Sequence, residues 1–381
     1  MWGTRSGRTE PPCKASLPGA EQHRLKVDKL TIRNFRNIAT LDVSIPGGGV
    51  VIIGANGEGK TNLLESIYYL VLFRSFRGAT DRELVRFGEA GFFVAATAGS
   101  RVSAGYEISG GRKKVTIDGV PATRLSDAVG EQIAIPFSPI DREIVSGSPS
   151  GRRRYLDVLL ALSSKNYLRQ LTSMRSALKQ RNAALRRGEI ATAKAFNGAF
   201  VTAAAQVGRQ RVEWVETWAS RYGAICRDLG EKSEPAIHYR SRGWEPALGE
   251  ENLLSVMTAQ LDRDARHGAT TVGPHRDDLT LYLGDKLVRT YGSAGQQRTA
   301  AIGLRVLEGE TVTKETGKVP VALYDDVFVE LDEDRQERLL GLIRDSLPGQ
   351  AIMTVPRESE IPRSLFDRPR WRMCGGVLAA A

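Results

Sequence analysis

The stretch Gly54-Ala55-Asn56-Gly57-Glu58-Gly59-Lys60-Thr61 fits the phosphate-binding pattern G-x-x-x-x-G-K-[ST]. A loop of this kind turns backbone N–H groups toward a nucleotide triphosphate at the start of a helix. Gly54, Gly57 and Gly59 let the backbone curl around a β-phosphate without a Cβ clash, while Ala55, Asn56 and Glu58 fill the variable positions of the cradle. Lys60 would pair with the β- and γ-oxygens, and the Thr61 hydroxyl would hold Mg²⁺. Outward from the loop, residues 50–53 read as an apolar strand. Residues 62–72 read as a helix that buries Leu63, Leu64, Ile67, Tyr68 and Val71. Strand, glycine-rich loop and helix in that order is the context that chance matches lack, and it predicts an ATP site.

A second stretch, Ser293-Ala294-Gly295-Gln296-Gln297-Arg298, opens a predicted helix with Ser293 as a good N-cap. Its Ser293 hydroxyl, the Gly295 N–H and the neighbouring Gln296 would cap a γ-phosphate. Alone it would be a capped helix with exposed glutamines. Residues 319–326, Val-Pro-Val-Ala-Leu-Tyr-Asp-Asp, form an apolar strand ending in two carboxylates, the Walker B arrangement. Asp325 would assist the metal and Asp326 would polarise an attacking water. Alone, such a pair serves equally well in a turn or a cap. The order of P-loop, serine motif, Asp-Asp and Glu330-Leu331-Asp332 favours the functional reading of each. Residues 299–318 are expected as a linker. In one subunit the serine cap lies too far from its own P-loop, so two copies are expected to clasp ATP between them and to loosen on hydrolysis.

Composition sets the bounds. The 381 residues exceed one average domain, and 41% hydrophobic content supports a substantial core. No run approaches the roughly eighteen apolar residues that span a bilayer. Three scattered cysteines, Cys13, Cys226 and Cys374, argue against a disulfide framework and for a reducing cytoplasm. A net charge of +10 suits a polyanionic partner. Arg152, Arg153 and Arg154 are consecutive, and Arg169, Arg175, Lys179, Arg181, Arg186 and Arg187 follow in a helical region. Arg152, Arg153, Arg154, Lys179 and Arg181 are the candidate DNA contacts of an arm that leans on DNA or on a second copy; the plainer alternative is a helical hairpin with solvated charges.

The predicted fold is α/β: a P-loop ATPase head of mixed sheet and flanking helices plus a β-meander, split by an inserted helical arm. Residues 30–35 and 39–45 alternate as strands, and 92–98, 102–108 and 113–117 form the meander. Residues 133–137 are a short strand that Pro136 assigns to a sheet edge. Two long helices occupy 152–222, broken near Arg187-Gly188; a hairpin turns at Gly284-Asp285; 333–344 is a helix and 351–355 a strand. The boundaries expected are a disordered extension at 1–25, the first part of the head at 26–150, the arm at 151–250, the second part of the head at 251–360 and a tail at 361–381.

With these elements in place the chain resembles the RecF family of bacterial recombinational repair proteins, relatives of the SMC and ABC ATPases. The residues that carry the resemblance begin with Asn34-Phe35-Arg36-Asn37, the P-loop with Asn62-Leu63-Leu64-Glu65, Arg74-Ser75-Phe76-Arg77 and Phe137-Ser138-Pro139. They continue through residues 152–157 and 178–182 to Gly273-Pro274-His275-Arg276-Asp277-Asp278-Leu279, Gly295-Gln296-Gln297-Arg298-Thr299 and Asp325-Asp326-Val327-Phe328. The resemblance implies a weak, DNA-stimulated ATPase that forms a homodimer on ATP and Mg²⁺. It also implies binding at gapped or single-strand/double-strand junction DNA, and recombinase loading through RecR with RecO in the same pathway, in repair, replication and SOS induction. Tyr324 and Ala294 depart mildly from the family pattern, and no switch histidine follows the strand at 351–355. The tail and the first 25 residues carry no match.

Three other readings compete. A P-loop phosphotransferase explains Lys60 and Asp325 but not the serine motif or the basic arm. A membrane transporter's ATPase subunit conflicts with the inserted helices. A non-hydrolysing, ATP-gated DNA scaffold differs from the leading reading only in whether Asp326 works.

Overall fold

Gly49–Ile53 is buried along its whole length, which is the pattern of a parallel strand covered on both faces. In the computed structural model, which describes residues 23–328 and 333–380, it lies inside a mixed six-stranded sheet. Ala351–Val355, Val321–Asp325 and Ala134–Phe137 follow on one side, all parallel. Ala134–Phe137 closes that edge, where the missing N–H of Pro136 does no harm. On the other side Arg370–Cys374 runs parallel to Gly49–Ile53, and Val377–Ala380 turns back antiparallel to it. The tail, which sequence left unplaced, therefore completes this sheet.

A second, antiparallel sheet runs in the order Ile38–Ser44, Lys29–Phe35, Gly91–Ala98, Ser100–Glu107, Arg112–Ile117, Val120–Pro121 and contains the expected meander. The helix Lys60–Leu72 packs between the two sheets. Ten of its thirteen residues are buried, as a helix covered by two layers requires.

The insertion comprises Pro149–Ser163, Lys165–Arg186, Ile190–Ala195 and Asn197–Asp228. The break at Arg187-Gly188 is present, and a second one falls at Ser164, whose hydroxyl caps Tyr167 N at 3.2 Å. A three-stranded sheet, Pro235–Arg240, Asp278–Leu283 and Lys286–Leu287, packs beside these helices. Leu156, Leu159, Leu171 and Met174 belong to the same buried cluster as Ile52 and Leu323, so most of the insertion shares the core of the head. Only Ala184, Leu185 and Ala193 form a separate cluster, at its tip.

Residues 299–318 are no linker. They continue the helix Ala294–Thr316, which packs on Asn197–Asp228 and leads into Lys318–Val319. His23–Arg24 pairs parallel with that strand, so the expected extension ends before residue 23; residues 1–22 and Glu330-Leu331-Asp332 lie outside the described residues.

Candidate functional site

The P-loop leaves the buried strand at Ile53 and enters its helix through Gly59, at φ 110°. A Cβ there would stand 2.6 Å from Asn37 Oδ1, so both backbone sign and space require glycine. Lys60 is buried. Its ammonium donates to Gly54 O at 2.7 Å and Ala55 O at 3.3 Å and lies 3.7 Å from Asp326 Oδ2. The neighbouring Thr61 hydroxyl donates to Asp325 Oδ1 at 2.7 Å, across 264 residues of chain. Burial pushes the Asp325 carboxyl above its ordinary value, and the bond from Thr61 works the other way.

Asp326 follows in the left-handed region, φ 49°, a backbone state that a residue other than glycine adopts at a cost. Thr354, on the adjacent strand, holds it there: its hydroxyl accepts from Asp326 N at 3.1 Å and lies 3.2 Å and 3.1 Å from the carboxylates of Asp325 and Asp326. Thr354 lies on the very strand, Ala351–Val355, that no switch histidine follows. Ser138 Oγ reaches the other oxygen of Asp325 at 3.4 Å.

A cavity of about 990 Å³ opens over this group and is lined by the P-loop, Thr61 and Asp326 together with Arg36, Asn37, Arg77, Phe87 and Gly375. Sequence reasoning gave none of the last five a role. Arg36 and Asn37 come from the turn between the first two long strands. Arg36 Nε donates to the buried Glu65 at 2.9 Å, and Ser75 Oγ closes on the same carboxylate. The matching blocks around Asn34 and Arg74 therefore converge on one buried acid beneath the cavity. Phe87 is fully exposed at the rim.

Thr61 and Asp325 fit a hard divalent cation. A metal here would draw the Thr61 hydroxyl and the Asp325 carboxylate from the protein, groups that already meet at 2.7 Å. That suits Mg²⁺, which keeps water and phosphate oxygens as its other ligands.

Ser293 caps Ala294–Thr316 as the sequence predicts. Its hydroxyl accepts from Gln296 N at 3.2 Å, and Gln296 Oε1 accepts from Ser293 N at 3.0 Å. Gln296 Nε2 also donates to Glu231 at 3.3 Å. Ser293, Gly295 and Gln296 are absent from the lining of the P-loop cavity, so the chain assembles Lys60, Thr61, Asp325 and Asp326 but not the serine motif.

The basic arm departs most from expectation. Arg152 is buried, paired with Asp278 at 2.8 Å and 2.9 Å, and Arg181 is buried against Asp264 at 2.8 Å. Arg153 donates to Asp277 O at 2.8 Å and exposed Arg154 to Ser75 O at 3.2 Å. Arg152, Arg153 and Arg181 thus fasten the insertion to residues 264–278, and Arg154 ties it to the loop at Ser75; Lys179 alone of the five is exposed without a partner among the described residues. Periodicity cannot distinguish an arginine that faces water from one that meets a buried aspartate far along the chain.

No protein-family model matches the chain. The DNA replication and repair protein RecF of Lacticaseibacillus paracasei is 35% identical over 379 residues, spanning 94% of this chain and 100% of that one. A solved structure described as the recombination mediator protein RecF with ATP, in the RecFOR pathway, superposes with TM-score 0.86 at 28% identity, covering 94% of this chain and 98% of that one. The Smc head domain of Pyrococcus furiosus shares the fold at TM-score 0.55 and 15% identity, over 94% of this chain and 96% of that one. Identity at this level along nearly the full length, on an SMC-type ATPase head with a formed P-loop site, means that the chain belongs to the RecF family.

Proposed function

We propose that this chain is an ATP-gated DNA-binding protein of the bacterial cytoplasm. It dimerises on ATP, engages gapped or single-strand/double-strand junction DNA, and promotes recombinase loading with RecR and RecO in repair, replication and SOS induction. The observation that carries this reading is the division of the site. One chain brings Lys60, Thr61, Asp325 and Asp326 around one cavity, while its serine-capped helix N-terminus lies outside that cavity and is available to a second copy.

Within the cradle, Lys60, now on its loop carbonyls, would pair with the β- and γ-oxygens of a bound nucleotide, and Thr61 and Asp325 would hold Mg²⁺. The bound cation supplies charge neutralisation at the phosphates. Asp326, oriented by Thr354, polarises the attacking water; Asp is one methylene shorter than Glu and grips that water less closely, which suits slow turnover. The Ser293 hydroxyl and Gly295 N–H of the partner would complete the γ-phosphate contacts.

Gel filtration with and without ATP and Mg²⁺ tests the reading: a shift from monomer to dimer on ATP is the expected result, and Ser293→Arg abolishes it. A monomer under both conditions, with ATP bound, would exclude the clasp. The non-hydrolysing scaffold is the second reading, favoured by the engagement of Asp326 with both Thr354 and Lys60. Steady-state turnover separates the two.

A further inference from the structure

Away from the nucleotide site, a cavity of about 310 Å³ is lined by Arg242, Arg263, His267 and Arg276, with Gln260 and Thr271 among its polar walls and no carboxylate. Two of the acids near these residues in sequence, Asp264 and Asp277, are turned away. Asp264 is buried against Arg181 and takes the N–H of Thr271 at 2.9 Å. Asp277 is buried and accepts from Tyr239 Oη at 2.7 Å, Trp244 Nε1 at 3.1 Å and Arg242 N at 2.9 Å. Arg242 and Arg263 have no side-chain partner among the described residues, and Arg276 has one, the carbonyl of Thr270 at 3.2 Å. All three are exposed.

Three guanidiniums around one hollow repel each other unless an anion joins them. The hollow is also held rigidly. Arg211 donates to Pro274 O at 2.7 Å, and Asn182 accepts from Thr270 N at 2.8 Å, so the loop carrying Arg276 is anchored on two helices of the insertion. The positive surface continues beyond the cavity. Arg186 packs against Gly268, and Lys179 lies seven residues earlier on the same helical face. Asp262 is an exposed acid on the helix that carries Arg263, but it is not part of the lining.

We infer that this cavity, with the Arg186–Lys179 face beside it, is a binding site for the phosphodiester backbone of duplex DNA. Guanidinium forks match phosphate oxygens, which accounts for arginine at three of the lining positions. No Phe, Tyr or Trp lines the hollow, and its one ring, His267, is held through Nδ1 to Arg263 O, so it offers no run of aromatic faces for the stacked bases of a single strand. The site therefore reads backbone and not sequence. This inference rests on the DNA-binding reading above and moves its contacts from buried Arg152 and Arg181 to Arg242, Arg263 and Arg276.

The test is the salt dependence of binding to a blunt duplex of mixed sequence, followed by fluorescence anisotropy on wild type and on the Arg242→Ala/Arg263→Ala variant. Neither side chain has a hydrogen bond or ion pair to lose among the described residues, and ATP binding, measured in parallel, should be unchanged. Each lost phosphate contact lowers the slope of log K against log salt by about 0.9, so a fall of about 2 and at least tenfold weaker binding at low salt are expected. If wild type binds duplex and the variant matches it in slope and affinity, the site is wrong while the function stands. If wild type binds no DNA in either nucleotide state, the functional reading fails and the site with it. Calorimetric binding of inorganic phosphate to wild type that the variant loses, with duplex affinity and salt slope unchanged between the two proteins, would assign the hollow to free phosphate and overturn the duplex proposal.

Discussion

Asp326 combines a left-handed backbone with a carboxylate held by Thr354 and 3.7 Å from Lys60 Nζ, and the proposed role at the attacking water rests on that placement. Asp326→Asn keeps the size and the reach to Thr354 but removes the charge proposed to orient water, and with it the pairing to Lys60. ATP binding should persist while turnover falls about tenfold or more in a steady-state assay; unchanged turnover would favour the scaffold reading. Lys60→Arg should weaken ATP binding at least tenfold by calorimetry, because a planar guanidinium does not fit where an ammonium is folded onto Gly54 and Ala55 carbonyls. His275, edge-on to Phe200, donates from Nε2 to Thr270 O at 3.0 Å. Burial pushes its imidazole down to about 4, against the hydrogen bond to Thr270, with Arg276, Arg153 and Arg211 adding to the lowering. The folded value lies below the ordinary one of about 6.5, so the unfolded chain takes up the proton first. The neutral ring's contribution is complete above about pH 6.5 and is lost as pH falls toward 4. Between pH 7 and pH 5, urea titrations should show wild type losing ~1–2 kcal/mol more stability than His275→Gln.

At the scale of elements, the tail hairpin has a task that its sequence does not announce. Gly376 N donates to Glu58 O at 2.8 Å, and Gly375 N meets the Glu58 carboxylate. Asn37 Nδ2 takes the same Glu58 carbonyl at 3.1 Å, so the variable centre of the P-loop is held between the hairpin and the strand turn. Gly376 sits at φ 83°, and a Cβ there would stand 2.5 Å from Asn37 O. Gly376→Val should therefore shift the turn, loosen the loop and weaken ATP binding by about 1–2 kcal/mol. Calorimetry against a thermal melt distinguishes this from general unfolding. The helix Ala294–Thr316 makes a related point. Gly303 packs on Cys226 and Gly309 on Leu347, so a segment rich in small and polar residues is buried by close approach of its neighbours. A weakly amphipathic sequence of that kind does not declare itself as a core helix, which is why it reads as a linker.

Across the whole molecule, the insertion is joined to the rest by buried charge as much as by apolar packing. Arg181 to Asp264 and Arg152 to Asp278 each reach from an insertion helix to a distant stretch of chain, while Arg211 to Asp157 at 2.6 Å ties two helices within the insertion. Leaving Asp264 buried without its cation is costly, so Arg181→Ala should lose about 3–5 kcal/mol in urea unfolding, whereas exposed Lys179→Ala should lose almost nothing. Equal effects of the two would mean that the pair is solvated. Tyr324 stands at the centre of the same core with a hydroxyl that has no partner among the described residues, and nothing in the structure explains it.

The sequence by itself determined the P-loop, the Walker B carboxylates, the serine cap, the meander and the edge strand at Pro136. Each depends on local periodicity or on backbone chemistry confined to a few neighbouring residues. Tertiary structure alone decided which arginines are free, where the tail lies, and what surrounds Lys60. Those outcomes require partners hundreds of residues apart, such as Thr61 with Asp325 or Gly376 with Glu58, to be brought within hydrogen-bond reach. A side chain's charge is written in the chain; whether water or a buried counter-ion receives it is set by the fold.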